Sequence, residues 1–189
     1  GIVKHTWWNR DQQKWMYCVA ESVEALPELA EGSNRGPGRM LVPTLGSSVK
    51  AHIPGSKVAS VSWKDRSAIL MAGGDADVAA WVESTTGNLV TNKKWAEKTP
   101  EWITSFNRER LIDSFFGQSW DRTGPAQAYA GLVDDCPFEN MHYNGSGQRT
   151  LPQPMTGGGE APGAPYWLQV YGSPFGNTLV RYAAQAAVR

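Results

Sequence analysis

Val58-Ala59-Ser60-Val61-Ser62-Trp63-Lys64-Asp65-Arg66-Ser67-Ala68-Ile69-Leu70-Met71-Ala72-Gly73-Gly74 decides how this chain is read. Val58 to Trp63 predicts a strand. Two cations follow, and Ser67 to Ala72 then predicts a short helix that Gly73-Gly74 stops. In α/β sheets, ligands gather just beyond the carboxyl ends of the strands. The free N–H groups at a helix start favour an anion there. Lys64 and Arg66 therefore stand where a phosphate would be held. Arginine supplies a planar fork for paired oxygens and lysine a point charge. Side chains two apart on an extended backbone point the same way, so both would reach one anion while Asp65 turns away. A solvated turn has the same Lys-x-Arg pattern, and pattern alone favours that plainer reading.

Working outward, residues 43–53 predict a helix, with Pro43 in the first turn and Leu45, Val49 and Ile53 as an apolar stripe. Val78 to Val82 predicts a second strand. Helix, strand, helix, strand in that order argues for an α/β sheet. Residues 1–20 read as a hairpin: Val3, His5 and Trp7 alternate with polar neighbours, a polar turn follows, and Trp15, Tyr17 and Val19 resume the period of two. Val23 to Leu29 is a weak helical patch broken by Pro27, and Gly32 to Gly38 a loop. Residues 84–98 are polar, with Trp95 as an anchor. Thr99, Pro100 and Glu101 start the strongest helix, which runs to Phe116 and stops at Gly117. Residues 118–165 read as irregular and rich in glycine and proline. Tyr166 to Tyr171 reads as a short strand, Ser173 to Asn177 as a turn, and Thr178 to Arg189 as a helix. No internal repeat is found.

The chain has 189 residues, 41% of them hydrophobic and 19% charged, which suffices for one core and excludes wholesale disorder. The 18 basic and 18 acidic residues cancel. No basic block offers an electrostatic case for nucleic acid, and no apolar run has the length of a membrane span. Cys18 and Cys136 are compatible with one disulfide or two thiols. The chain opens without an initiator methionine and closes inside a helix, so it reads as a segment of a longer protein.

The remaining candidates each have a plainer reading. His5 would donate a hydrogen bond to a substrate oxygen, or is a strand residue. His52 suits the end of a helix, His142 lies in a loop, and the three histidines make no metal-ligand spacing. Asp75 with Asp77, and Asp134 with Asp135, would bind a cation or sit in solvated turns. Ser60, Ser62 and Thr44 have no local base, and no Gly-x-Ser-x-Gly occurs. Trp7, Trp8 and Trp15 would stack on sugars or bases, or serve packing.

Several segments together resemble one family. They are Gly1-Ile2-Val3-x-His5-x-Trp7-Trp8, Leu41-Val42-Pro43-Thr44-Leu45-Gly46, Val61 to Ile69, Pro100 to Asn107, and Ser173-Pro174-Phe175-Gly176-Asn177. Their order is similar to that in the alkaline phosphatase superfamily. The resemblance is to the type I phosphodiesterase/nucleotide pyrophosphatase-like branch with its threonine-nucleophile bacterial alkaline phosphatases. It implies an α/β fold, part of a mixed sheet flanked by helices, with long loops and an inserted cap. Residues 1–83 would be partial core, 84–165 the cap-like region, and 166–189 a return to the core. It implies that Lys64 and Arg66 bind the substrate phosphate. The family's phosphate-binding asparagine falls on His5, a departure.

The resemblance also implies two zinc ions, with the threonine nucleophile and one ligand before Gly1 and the other ligands after Arg189. The implied parent is a periplasmic or secreted phosphomonoesterase acting on a phosphate ester. Its partners are that substrate and the remainder of the same polypeptide, with no nucleic acid and no membrane span. The alternative is a non-catalytic, aromatic-rich binding module or an inactive remnant of such an enzyme.

Overall fold

A computed structural model describes residues 4–27, 34–138 and 148–189. They belong to two compact units: Gly1–Glu83, Leu89–Phe106 and Ala183–Arg189 in the first, Ser84–Asn88 and Asn107–Tyr182 in the second.

In the first unit, β1 (Thr6–Asn9) and β2 (Lys14–Tyr17) form the expected antiparallel hairpin, with Trp8 opposite Trp15 and Thr6 opposite Tyr17. The Asn9 side chain accepts the Gln12 N–H at 2.9 Å and so closes the turn. β3 (Ala25–Leu26) and α1 (Leu45–His52) come next. The quoted stretch then folds as β4 (Ala59–Ser62) and α2 (Asp65–Ala72), followed by β5 (Val78–Val82) and β6 (Leu89–Asn92). The sheet order is β3-β6-β5-β4. β4 and β5 are parallel, as a helical crossover requires, while β5 with β6 and β3 with β6 are antiparallel.

Helix α2 lies on β4 and β5, and its Ala68 and Ile69 are buried with Val19, Trp81 and Val90. Ala72, Ala76 and Ala79 form a second small cluster, against which Val58 and Trp95 pack. Gly73 ends α2 at φ 70°, and a Cβ there would lie 2.9 Å from the Thr44 methyl, so the tight stop needs glycine. Thr44 caps α1 by accepting the Ser47 N–H at 3.0 Å and donates to the Ala72 carbonyl at 3.2 Å, tying the two helices together.

Part of α3 (Glu101–Glu109) belongs to the first unit, with Ile103 and Phe106 buried. The second unit holds a 3-10 helix (Leu111–Phe115), β7 (Ser119–Trp120), a further 3-10 turn (Ala126–Tyr129), β8 (Gln153–Pro154) and α4 (Ala164–Tyr171). α5 (Pro174–Ala187) lies in this unit up to Tyr182. Ile112, Phe115, Met155, Tyr166, Val170 and Leu179 are buried there. The buried Gln169 is satisfied at both ends: it accepts the Gly157 N–H at 2.8 Å and donates to the Pro154 carbonyl at 2.9 Å.

Five sequence expectations need correction. The helical patch near Val23 instead contains β3, because Ala25 and Leu26 pair with Asn92 and Thr91. The polar stretch 84–98 contains β6, a wholly buried strand with no alternation to betray it. The helix expected over Pro100 to Phe116 breaks at Arg110, which takes φ 47° and ψ 43°. That backbone lets its guanidinium reach Asp113 at 2.7 Å and 3.1 Å, Asn88 at 2.6 Å and the Thr86 carbonyl at 3.0 Å. Tyr166 to Tyr171 is helical rather than extended, with Tyr166, Gln169 and Val170 buried at helical spacing. The turn expected at Ser173 to Asn177 is the start of α5, where Pro174 is tolerated in a first turn.

Candidate functional site

Strand β4 and helix α2 deliver Lys64 and Arg66. Lys64 is the cap of α2, still extended at φ −94° and ψ 137°, and Asp65 and Arg66 open the helix. The reasoning from side chains two apart on an extended backbone therefore covers Lys64 only: the chain has turned helical before Arg66. What remains is the placement, two cations at the carboxyl end of a parallel strand and the amino end of the helix behind it. Both side chains are half-buried.

Arg66 is held from the hairpin. Its Nη1 donates to the Tyr17 hydroxyl at 3.3 Å. That hydroxyl donates to Asp65 Oδ1 at 2.8 Å. Asp65 Oδ1 also accepts the Arg66 backbone N–H at 2.6 Å, and Oδ2 accepts from Arg35 Nε at 2.8 Å. Arg35 further lies over the Tyr17 ring, 5.1 Å from its centroid. Asp65 thus meets its ion-pair partner in Arg35, with only 18% of its side chain exposed.

The electrostatics follow from this packing. Burial pushes the Tyr17 hydroxyl up to about 12, with Arg66 pulling against the rise and Asp65 adding to it. The Tyr17 hydrogen bond leads the causes that move Arg66 further above its ordinary value. Burial also raises the neighbouring Cys18 thiol, so it is no activated nucleophile. Cys18 and Cys136 are both free thiols.

His5 lies beside the hairpin and is exposed. Its carbonyl accepts the Cys18 N–H at 2.9 Å, and its ring meets Tyr17 edge-on at 5.7 Å. His5 and Arg66, far apart in sequence, therefore both contact Tyr17. Sequence reasoning noticed Tyr17 only as a strand residue and missed Arg35. Neither signals its role locally, since the contacts span 49 and 30 positions.

Several other candidates have structural partners. Asp77 binds Lys50 at 3.0 Å and Lys57 at 3.1 Å. Asp134 pairs with Arg122 at 2.8 Å and Asp135 with Arg149 at 2.6 Å. His52 Nδ1 lies 2.8 Å from the Ser48 carbonyl. Trp8 and Trp15 meet edge-on at 5.8 Å, with Trp15 68% exposed. His142 and the Gly1-Ile2-Val3 motif lie outside the described residues. Among the described residues, no group of three or more His, Cys, Asp or Glu is arranged to hold a metal ion. The described side chains therefore offer no such cluster for the two zinc ions that the resemblance implies. No helix among the described residues is long and apolar enough to cross a membrane.

A mixed sheet with a parallel strand-helix-strand unit, and with two cations at the end of β4 and the start of α2, defines an α/β protein. The chain is related to the alkaline phosphatase superfamily, and its matches cover only part of the length of those relatives. It is 31% identical to "Alkaline phosphatase PhoV" of Synechococcus elongatus over 80% of its length and 28% of the relative's. It is also 31% identical to "Calcium-transporting ATPase" of Myroides odoratus, over 92% of the chain and 31% of the relative. The crystal structure of wild-type alkaline phosphatase PafA aligns with a TM-score of 0.72 at 24% identity, covering 97% of this chain and 35% of that one. A substituted form of PafA aligns at 0.77 and 23% identity, over 100% of this chain and 36% of that one. The chain therefore spans about a third of the length of these proteins. No protein-family model matches it.

Proposed function

We propose that this chain supplies the phosphate clamp of a zinc-dependent alkaline phosphatase that hydrolyses phosphomonoesters. In this reading Lys64 and Arg66 bind the substrate's phosphoryl oxygens and stabilise the charge they carry in the transition state. His5 contributes one imidazole hydrogen bond to the same group. Residues 1–83 carry the clamp, 84–165 include a cap-like region, and 166–189 return to the core. The threonine nucleophile and the zinc ligands are assigned to the remainder of the same polypeptide, with the segment alone inactive. The assigned location is periplasmic or secreted.

The observation that carries this reading is the seat of Lys64 and Arg66, at the end of β4 and the start of α2. A lysine and an arginine two positions apart are also among the residues replaced by alanine in the substituted PafA. Lys64 and Arg66 have that spacing. The relative described as an ATPase is compatible with it, because ATP hydrolysis too acts on a phosphoryl group.

Phosphomonoesters offer the clamp more unesterified oxygens than diesters do, so the clamp favours monoesters. Replacing Lys64 and Arg66 with alanine in the complete enzyme is expected to lower monoesterase kcat/KM by about a hundredfold or more. Diesterase activity should fall far less. Equal losses on both substrates would refute the assignment.

A further inference from the structure

The side chains behind the clamp have no role in the reading above, yet they are organised around it. A carboxylate two atoms of backbone away from a substrate-binding arginine is a hazard, since Asp65 competes with any anion for the Arg66 guanidinium. The structure shows how Asp65 is occupied. Arg35 binds Oδ2 at 2.8 Å, the Tyr17 hydroxyl binds Oδ1 at 2.8 Å, and the Arg66 backbone N–H binds Oδ1 at 2.6 Å. The Tyr17 oxygen, its proton spent on Asp65, then accepts from Arg66 Nη1 at 3.3 Å. An arginine has five N–H donors in a rigid fork. Engaging one of them on a neutral acceptor restrains the fork without a direct ion pair, although the Asp65 charge still acts on it through space.

We propose that Tyr17 is the positioning residue for Arg66, and that Arg35 keeps Asp65 from neutralising it. This rests on the clamp reading of Arg66. Tyr17 acts as an insulated link between a carboxylate and a guanidinium that would otherwise pair directly. Arg35 lies over its ring face at 5.1 Å and His5 meets its edge at 5.7 Å. The phenol is therefore gripped on two sides as well as through its hydroxyl. Tyr17 thereby links the hairpin to Arg66.

The test is a double-mutant cycle in the complete enzyme, with phosphomonoester turnover and inhibition by inorganic phosphate as readouts. Tyr17→Phe removes only the hydroxyl. It is expected to lower monoesterase kcat/KM about tenfold, the scale of one hydrogen bond to a charged group, and to weaken phosphate inhibition by a similar factor. Adding Tyr17→Phe to Arg66→Ala should then cost almost nothing more. Arg35→Ala should reproduce the tenfold loss, and Arg35→Lys should recover most of it, because an ammonium still occupies Asp65. If Tyr17→Phe costs the same factor with and without Arg66, Tyr17 serves the fold and the proposal is wrong. A silent Tyr17→Phe beside a severe Arg66→Ala overturns it too and leaves the clamp standing. Should Arg66→Ala itself leave monoester turnover unchanged, the clamp reading fails first, a distinguishable result. The Arg35 pair decides the matter if Tyr17→Phe does not fold: equal losses in Arg35→Ala and Arg35→Lys refute the proposal.

Discussion

Asp77 is the carboxylate through which pH should act most directly on the first unit. It accepts the Val58 N–H at 2.8 Å, Lys50 Nζ at 3.0 Å and Lys57 Nζ at 3.1 Å, joining α1, the approach to β4 and the approach to β5. Burial pushes its carboxyl up, but the Val58 N–H and the two lysines more than reverse this and hold it at about 2 against an ordinary 3.8. The folded form therefore prefers the carboxylate. The stability it contributes is complete above about pH 4 and is lost as pH falls through about 2. That difference in pKa caps the contribution at roughly 2 kcal/mol. Solvent reaches 29% of the side chain, and screening reduces the expected value to about 1 kcal/mol.

Asp77→Asn keeps an oxygen for the Val58 N–H and removes both ion pairs. At pH 7 the variant should be about 1 kcal/mol less stable by denaturant titration, or roughly 2–4 °C lower in Tm. Repeating the titration down to pH 2 should close the gap between variant and wild type, and 1 M salt at pH 7 should narrow it. A gap that stays constant from pH 7 to pH 2 would refute the electrostatic reasoning, as would no gap at pH 7.

Two further predictions concern packing. Gly157 has φ 60°, and a Cβ there would overlap the backbone of Tyr166, so Gly157→Ala should cost more than about 3 kcal/mol in denaturant titrations. Gly117, at φ 77° with open space around it, should lose only about 1 kcal/mol as Gly117→Ala; equal costs at the two sites would contradict the steric argument. Ile69 is fully buried between α2 and the sheet, and Ile69→Ala should cost about 2–5 kcal/mol by the same measurement, a loss under 1 kcal/mol counting against its place in the core.

Local signals carried the fold a long way. Val78 to Val82, a run bounded by turns, is a strand at the residues expected, and the hairpin forms as read, although its register sets Trp7 opposite Met16 and so on the other face from Trp15 and Tyr17. Where the signal was weak, neighbours decided. Leu89 to Asn92 contains two polar residues, yet Thr91 and Asn92 are fully buried in a strand that lies between β3 and β5. Tyr166 to Tyr171 has the aromatic and β-branched content of a strand, and packing of Tyr166 against the 3-10 helix, through its hydroxyl on the Ile112 carbonyl, settles it as a helix.

The candidate site divides the same way. A strand, then Lys64, then a helix near Asp65 and Arg66 is a property of the chain, since backbone propensity and apolar spacing act over a few residues. The resemblance that gives those cations a role is likewise carried by linear motifs. What surrounds Arg66 came only with tertiary structure. Tyr17 and Arg35 reach Asp65 across 48 and 30 positions, and hydrogen bonds across such gaps leave no periodic trace. Residue types in order determined that a cation pair follows a strand; the hairpin and the Arg35 loop, brought beside α2 by the fold, decided which of the neighbouring charges is neutralised.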